Sequence, residues 1–303
     1  MSDFFRSVSL SVLFYFLKTK ADNFEEKAMT KTDKQILVLG ATGKTGHRIV
    51  NRLKKNYHVR SGSRKAVIPF DWENEETWPS VLDGVSSVYI SFQPDLAIPG
   101  AVEIVENFTR MAVKKEIKQL VLLSGRGEKE AQDCEEIIIN SGADWTILRA
   151  SWFFQNFSES YLLEPILSDH VSLPVSDIGE PFIDAEDIAD VAVAALADPS
   201  HSQQIYELTG PRLLSFKEAV QEISSALNRK IYFENIPLAE YSAQLKAFEV
   251  PSEIVSLMEY LFTHVLDGRN ACLGDGVQKV LGREPADFKD YIQKMIPSKT
   301  WEK

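Results

Sequence analysis

Three observations predict an α/β protein built on a doubly wound parallel sheet. A continuous apolar run leads directly into a glycine-rich loop, that loop opens an amphipathic helix, and further apolar runs then alternate with helical patterns. The run Gln35-Ile-Leu-Val-Leu39 reads as a central strand buried on both faces. Gly40-Ala-Thr-Gly-Lys-Thr-Gly46 follows, with its glycines spaced as GxxGxxG, and Ile49, Val50 and Leu53 recur at helical spacing before Lys55. The stretch from Gly40 to Lys44 is too short for a P-loop. A helix N-terminus presents free N–H groups and the positive end of its dipole, and glycines let the main chain approach an anion. Gly40, Thr42, Gly43, Lys44, Thr45 and Gly46 are therefore expected to hold the pyrophosphate of a dinucleotide, in a Rossmann-type unit. The bland alternative is a tight strand-to-helix turn that binds nothing.

The second strand, His58-Val-Arg-Ser-Gly-Ser-Arg64, ends where the adenosine ribose sits in such a unit. An acid at that point would select NAD; Ser63, Arg64 and Lys65 stand there instead, with Lys44 nearby. Cationic side chains suit a 2′-phosphate, so NADP(H) is expected in preference to NAD(H), with Arg64 as the reader and a merely solvated loop as the alternative. Val67-Ile-Pro-Phe-Asp-Trp72 reads as a third strand whose Asp71 and Trp72 flank the adenine. Ser87–Phe92 and Gln119–Ser124 are a fourth and a fifth, with helices over Ala101–Lys115 and Glu128–Ser141 between them. Ligands bind at the carboxyl ends of such strands, which gathers Gly40, Arg64, Phe92 and Ser124 on one edge.

The 303 residues carry 33 Lys plus Arg against 44 Asp plus Glu, a net charge of −11 that argues against a nucleic-acid partner. Two cysteines, Cys134 and Cys272, exclude a disulfide scaffold and fit a reducing compartment, so a cytoplasmic protein is expected. No apolar run reaches the roughly 20 residues that span a bilayer. Residues 1–33 read as a leader, disordered or a peripheral helix. Its apolar Val8–Leu17 is short and Asp3 spoils a secretory signal, which leaves targeting or anchoring by residues 1–28 as the lesser reading. Met29 precedes what looks like the start of the folded domain. The histidines at 47, 58, 170, 201 and 264 lack metal-ligand spacing, and no metal is expected. Glu180, Asp184, Glu186, Asp187 and Asp190 open a helix over Ile188–Leu196, where capping accounts for them better than metal binding. A monomer or a homodimer is expected.

Several further motifs join the glycine loop: Phe70-Asp-Trp72, Leu122-Leu-Ser-Gly-Arg126, Trp145-Thr-Ile-Leu-Arg-Ala-Ser-Trp-Phe-Phe-Gln-Asn-Phe157, Phe182-Ile-Asp-Ala-Glu-Asp-Ile-Ala189 and Tyr206-Glu-Leu-Thr-Gly-Pro211. With them the chain resembles the NmrA-like branch of the atypical short-chain dehydrogenase/reductases, and within it the subgroup of the ergot-alkaloid (festuclavine and agroclavine) dehydrogenases. The resemblance implies an NAD(P)H-binding core over residues 34–157, to which about 182–210 return. It also implies a smaller substrate-facing α/β part drawn from the rest of 158–303. There Leu214–Leu227 reads as a Ser-capped amphipathic helix, Asn228–Phe233 as a turn and strand, and Val250–Leu266 as a helix that closes the core.

Ordinary members of the wider superfamily use Tyr-x-x-x-Lys as a proton relay, yet Gly125–Ile139 contains no tyrosine. The resemblance then implies acceptors that need little acid help, such as quinones, dyes or iminium ions. An acidic protein also suits a cationic acceptor. It further implies Phe92 and Gln93 beside the nicotinamide ribose. Ser124 is the one tentative catalytic contact, and Arg126, Trp152, Phe153 and Asn156 are candidates for the substrate pocket. Glu128 is expected to cap the following helix. The expected activity is NAD(P)H-dependent reduction of a small molecule, with a non-catalytic NAD(P)-sensing regulator as the alternative. If Arg64 reads the phosphate, Arg64→Ala weakens NADPH binding at least about tenfold more than NADH binding in a fluorescence titration; equal losses would remove it from that role.

Overall fold

The computed structural model describes residues 32–303, so the expected leader lies outside the described residues except for Thr32 and Asp33, which already belong to the first strand. The strands are β1 (Thr32–Leu39), β2 (Tyr57–Gly62), β3 (Ser87–Ile90), β4 (Gln119–Gly125), β5 (Asp144–Ala150), β6 (His170–Leu173), β7 (Gln204–Leu208) and β8 (Tyr232–Asn235). Six form one sheet in the order β2-β1-β3-β4-β5-β7, with every pairing parallel. β6 and β8 form a second, two-stranded parallel sheet.

Side-chain alternation explains why the large sheet is wound on both faces. Ile36 and Val38 point to one side, where they pack with α1 (Gly46–Leu53) and α6 (Ala185–Ala197). Leu37 and Leu39 point to the other, against α2 (Trp78–Leu82), α3 (Ala101–Lys114) and α4 (Lys129–Ile139). A strand buried on both faces must be apolar throughout, and Ile36 to Leu39 are fully inaccessible. Arg48 and Arg52 of α1 reach Glu186 and Asp190 of α6 at 2.6 Å in each pair, which fixes the two helices side by side. The capping expected of the acids in that segment therefore belongs to Asp184, whose carboxylate accepts the Glu186 N–H at 2.9 Å. Asp187 instead accepts the Ala286 N–H at 2.7 Å and pairs with Arg283.

One expected strand is absent. Val67–Trp72 is irregular, because Pro69 offers no ladder donor and the N–H groups of Ala66 and Phe70 both turn back to the Ser63 carbonyl at 3.1 Å. Its apolar residues serve the core instead: the Trp72 ring lies among those of Phe70, Phe92 and Phe108 at 4.9, 4.9 and 5.1 Å.

The second body of apolar residues lies beyond the carboxyl edge of the sheet. It gathers β6, β8, α5 (Leu163–Leu167), α7 (Phe216–Ala226), α8 (Leu238–Ala247) and α11 (Phe288–Met295) around Phe154, Phe157, Phe182, Phe216, Phe288 and Trp301. α7 begins with the expected serine cap as a full capping box of Ser215 and Glu218. The expected helix at Val250–Leu266 is divided into α9 (Ser252–Tyr260) and a π turn at Leu261–Val265. α10 (Gly276–Leu281) returns to pack against β7 and α6. Phe182 touches Phe157 and Phe216 at ring separations of 5.4 and 4.9 Å and is 1% exposed. Phe182→Ala is expected to cost about 3–5 kcal/mol in chemical denaturation; a loss below about 1 kcal/mol would mean that this cluster can collapse around the gap.

Candidate active site

The chain leaves β1 toward β2 on one side and returns to β3 on the other, so a crevice opens where β1 and β3 part at their carboxyl ends. The glycine loop crosses that point. Gly40 takes a φ of +65°, and a Cβ on Gly46 would lie 2.1 Å from the Gly40 carbonyl oxygen. Any side chain at Gly46 would force α1 away from β1. The Gly43 N–H donates to the Gly40 carbonyl at 2.8 Å, and the Tyr89 hydroxyl donates to Thr45 Oγ1 at 2.9 Å from inside the sheet. Burial lowers the pKa of the Lys44 ammonium, against which the Glu159 charge raises it. A closed glycine turn, the N-terminus of α1 and one partly desolvated lysine make a donor set that fits a pyrophosphate.

From this loop a cavity of about 590 Å³ runs across the ends of β3, β4 and β5. Thr42, Gly43, Lys44, Thr45, Phe92, Gln93, Ser124, Arg126, Trp152, Phe153 and Asn156 all line it; Arg64, Asp71 and Trp72 do not. Arg64 is exposed beyond the end of β2. Asp71 accepts the Trp78 indole N–H on its carbonyl at 2.8 Å and the Glu73 N–H on its carboxylate at 3.2 Å, and Trp72 is part of the core. Two expected contacts are also committed elsewhere. Ser124 Oγ donates to the buried Glu135 carboxylate at 2.5 Å, which is itself held by Arg149 at 2.6 Å. The Arg126 guanidinium binds Glu207 at 2.5 Å and the Asn270 and Cys272 carbonyls at 3.2 Å, so it ties the 270–272 segment to the sheet.

Other residues complete the cavity. Leu257, Met258 and Leu261 of the divided helix form an apolar wall as well as closing the core, and Tyr161 stands edge-on to Trp152 at 6.5 Å. Four acids face the same space: Glu159, which pairs with Arg48, and Asp95, Glu128 and Glu180, which make no salt bridge among the described residues. Glu128 holds the N-cap position of α4 but makes no capping hydrogen bond; its carboxyl lies within hydrogen-bond reach of Asp95 instead. Asp95 and Glu128 follow the ends of neighbouring strands, and an acid just past a strand end was the available signal. Glu180, 1% exposed, has its pKa pushed up to about 7 by burial, against the Trp152 N–H, the Arg126 charge and the Ser151 hydroxyl.

Residues 40–199 match the model of an NAD(P)H-binding family, and residues 129–292 match the model of the NmrA-like family. The chain belongs to the NmrA-like family of NAD(P)H-binding oxidoreductases. It is 29% identical to the festuclavine dehydrogenase of Aspergillus fumigatus, over 85% of this chain and 96% of that protein. Its fold is shared with an NADPH-dependent quinone oxidoreductase of Escherichia coli in complex with NADPH, at a TM-score of 0.74 and 18% identity over 86% of this chain and 99% of the other. It is shared too with NmrA, a negative transcriptional regulator, in complex with NAD, at a TM-score of 0.62 and 19% identity over 88% and 96% of the two chains. Among the described residues no helix is long and apolar enough to cross a membrane.

A glutamate with an ordinary value of 4.5 that is raised to about 7 on folding stabilises the fold fully below the lower value. That increment is lost as pH rises through the upper one. Glu180→Gln removes the cost of burying the charge. The variant is therefore expected to gain on the wild type by up to about 3 kcal/mol between about pH 5 and about pH 8. Parallel stability curves would show that Glu180 titrates normally.

Proposed function

We propose that this protein is an NAD(P)H-dependent reductase that passes hydride to a small conjugated acceptor, such as a quinone or an iminium ion, without a Tyr-x-x-x-Lys relay. The observation that carries this reading is the continuity of one cavity, from the glycine loop to a wall of aromatic and aliphatic side chains. Gly40, Gly43 and Gly46 shape the turn, Thr42, Lys44 and Thr45 line it on the phosphate side, and Phe92 and Gln93 border the nicotinamide half. When bound, the reduced cofactor supplies a hydride. Trp152, Phe153 and Asn156, with Leu257, Met258 and Leu261, orient a flat acceptor and keep water from it. NADP(H) is the preferred cofactor in this reading, supported by Arg64 and Lys65 beyond β2 and by the cation of Lys44.

The sensing alternative draws on a specific observation as well: no tyrosine stands between Ser124 and Ile139, and the Ser124 hydroxyl is engaged by Glu135. A titration with NADPH and NADH, followed by quinone and cyclic iminium acceptors, separates the two. Binding with oxidation of the cofactor by an acceptor is the expected result. Tight binding without turnover by any of them favours the sensor, and failure to bind either nucleotide contradicts both.

A further inference from the structure

Two carboxyl groups meet at the acceptor end of the cavity. Asp95 lies in the loop after β3 and Glu128 in the loop after β4, each within hydrogen-bond reach of the other. Glu128 is 8% exposed. A Cβ on Gly125 would lie 2.1 Å from Glu128 Oε1, so it is a glycine that lets this carboxyl fold back over the end of β4 and into the cavity.

Among the described residues no Lys or Arg pairs with either group. Lys129 turns to Asp133, Arg126 is held by Glu207, and Arg149 by Glu135 and Glu207. The charges that face the pair from α4 are acids, Glu130 and Glu135, and Tyr260 Oη from α9 donates to Glu130 at 2.9 Å. Two carboxylates in contact without a cation cannot both ionise at low cost and share a proton instead. Burial raises both above the usual carboxylate range, and Glu128 well above it, where the Asp95 charge adds to the effect. The Ala97 N–H, which donates to Asp95 at 2.9 Å, opposes the rise there. The pair therefore holds one proton between its two carboxyls, with Glu128 the favoured site. A separate observation marks the same space as a place for a polar ligand: Glu180 Oε1 and Tyr161 Oη are buried at its wall, and neither has a hydrogen-bond partner among the described residues.

We propose that the Asp95–Glu128 pair is the proton donor of the reaction, holding one proton at the acceptor end of the cavity in place of the missing tyrosine. This rests on the hydride-transfer reading above. A quinone reduced in that way still needs a proton on its oxygen. The acceptor O–H bond forms as the carboxyl O–H bond breaks, the bonding electrons stay on the carboxylate, and the pair, left with two negative charges, takes its next proton from water. A cationic triphenylmethane dye needs no such proton, since hydride added to its central carbon already gives a neutral product.

That contrast supplies the test. Asp95→Asn, Glu128→Gln and the double variant are compared with the wild type on a neutral quinone and on the cationic dye, with NADPH binding followed by fluorescence. The ratio of quinone to dye turnover is expected to fall by about a hundredfold in the double variant, the usual scale of general acid catalysis. Gly125→Ala, which displaces the Glu128 carboxyl without altering it, should lower the same ratio. In the full chain at neutral pH without cofactor, the infrared difference between wild type and double variant should contain the carbonyl band of a protonated carboxyl. An unchanged turnover ratio, or a difference spectrum without that band, overturns the proposal. A wild type that binds NADPH yet reduces neither acceptor overturns the reductase reading, and the proton donor with it.

Discussion

The arrangement depends on the contact between Gly46 and the Gly40 carbonyl. With no room for a Cβ between them, α1 starts almost on top of the last residue of β1, and its N-terminal N–H groups and dipole face the crevice at the switch between β1 and β3. Arg48 and Arg52 then bind α1 to α6, which covers the same face of the sheet, so the phosphate loop rests on a clamped pair of helices. An anion site built from main-chain groups is only as good as the rigidity behind it. Here that rigidity comes from the fully buried half of β1, Ile36 to Leu39, and four charged side chains.

A second constraint shapes the other half of the cavity. The aromatic core around Phe157, Phe182 and Phe216 brings α9 and the π turn over the carboxyl edge, and the space left between this body and the sheet is lined by apolar side chains and by four acids. Burying carboxyl groups is costly for the fold unless they are partnered, and buried acids away from the cavity are held: Glu135 by Arg149, Asp187 by Arg283, and Asp184 by Gln155 and the Glu186 N–H. At the cavity Asp95 and Glu128 have no Lys or Arg beside them, and Glu180 Oε1 has no hydrogen-bond partner among the described residues. Groups held neutral by their surroundings are able to give up a proton when a ligand arrives, which the paired acids are not.

What the sequence made legible was local. The strand, the glycine spacing and the first helix are contiguous, so the loop could be read from Gln35 to Leu53, and the capping box at Ser215 and Glu218 spans a single turn. Val67–Trp72 was misread because a short apolar run looks the same whether it pairs as a strand or feeds a core through Phe70 and Trp72. Ser124 lines the cavity as expected, but its bond to Glu135 from the middle of α4 has no local sequence signal, and Glu128 reads as a cap because a helix-start acid ordinarily caps its own helix. The Asp95–Glu128 contact joins loops after two neighbouring strands, a relation set by sheet order and absent from any local pattern.

One cavity joins the dinucleotide loop to the acid-lined acceptor end. The most direct measurement is a crystal structure of the protein with NADPH. The expected density has the pyrophosphate over Gly40–Gly46, the 2′-phosphate toward Arg64, and the nicotinamide ring in the cavity between Phe92 and the Asp95–Glu128 pair. A dinucleotide bound elsewhere, or a nicotinamide ring turned away from those carboxyls, would contradict it.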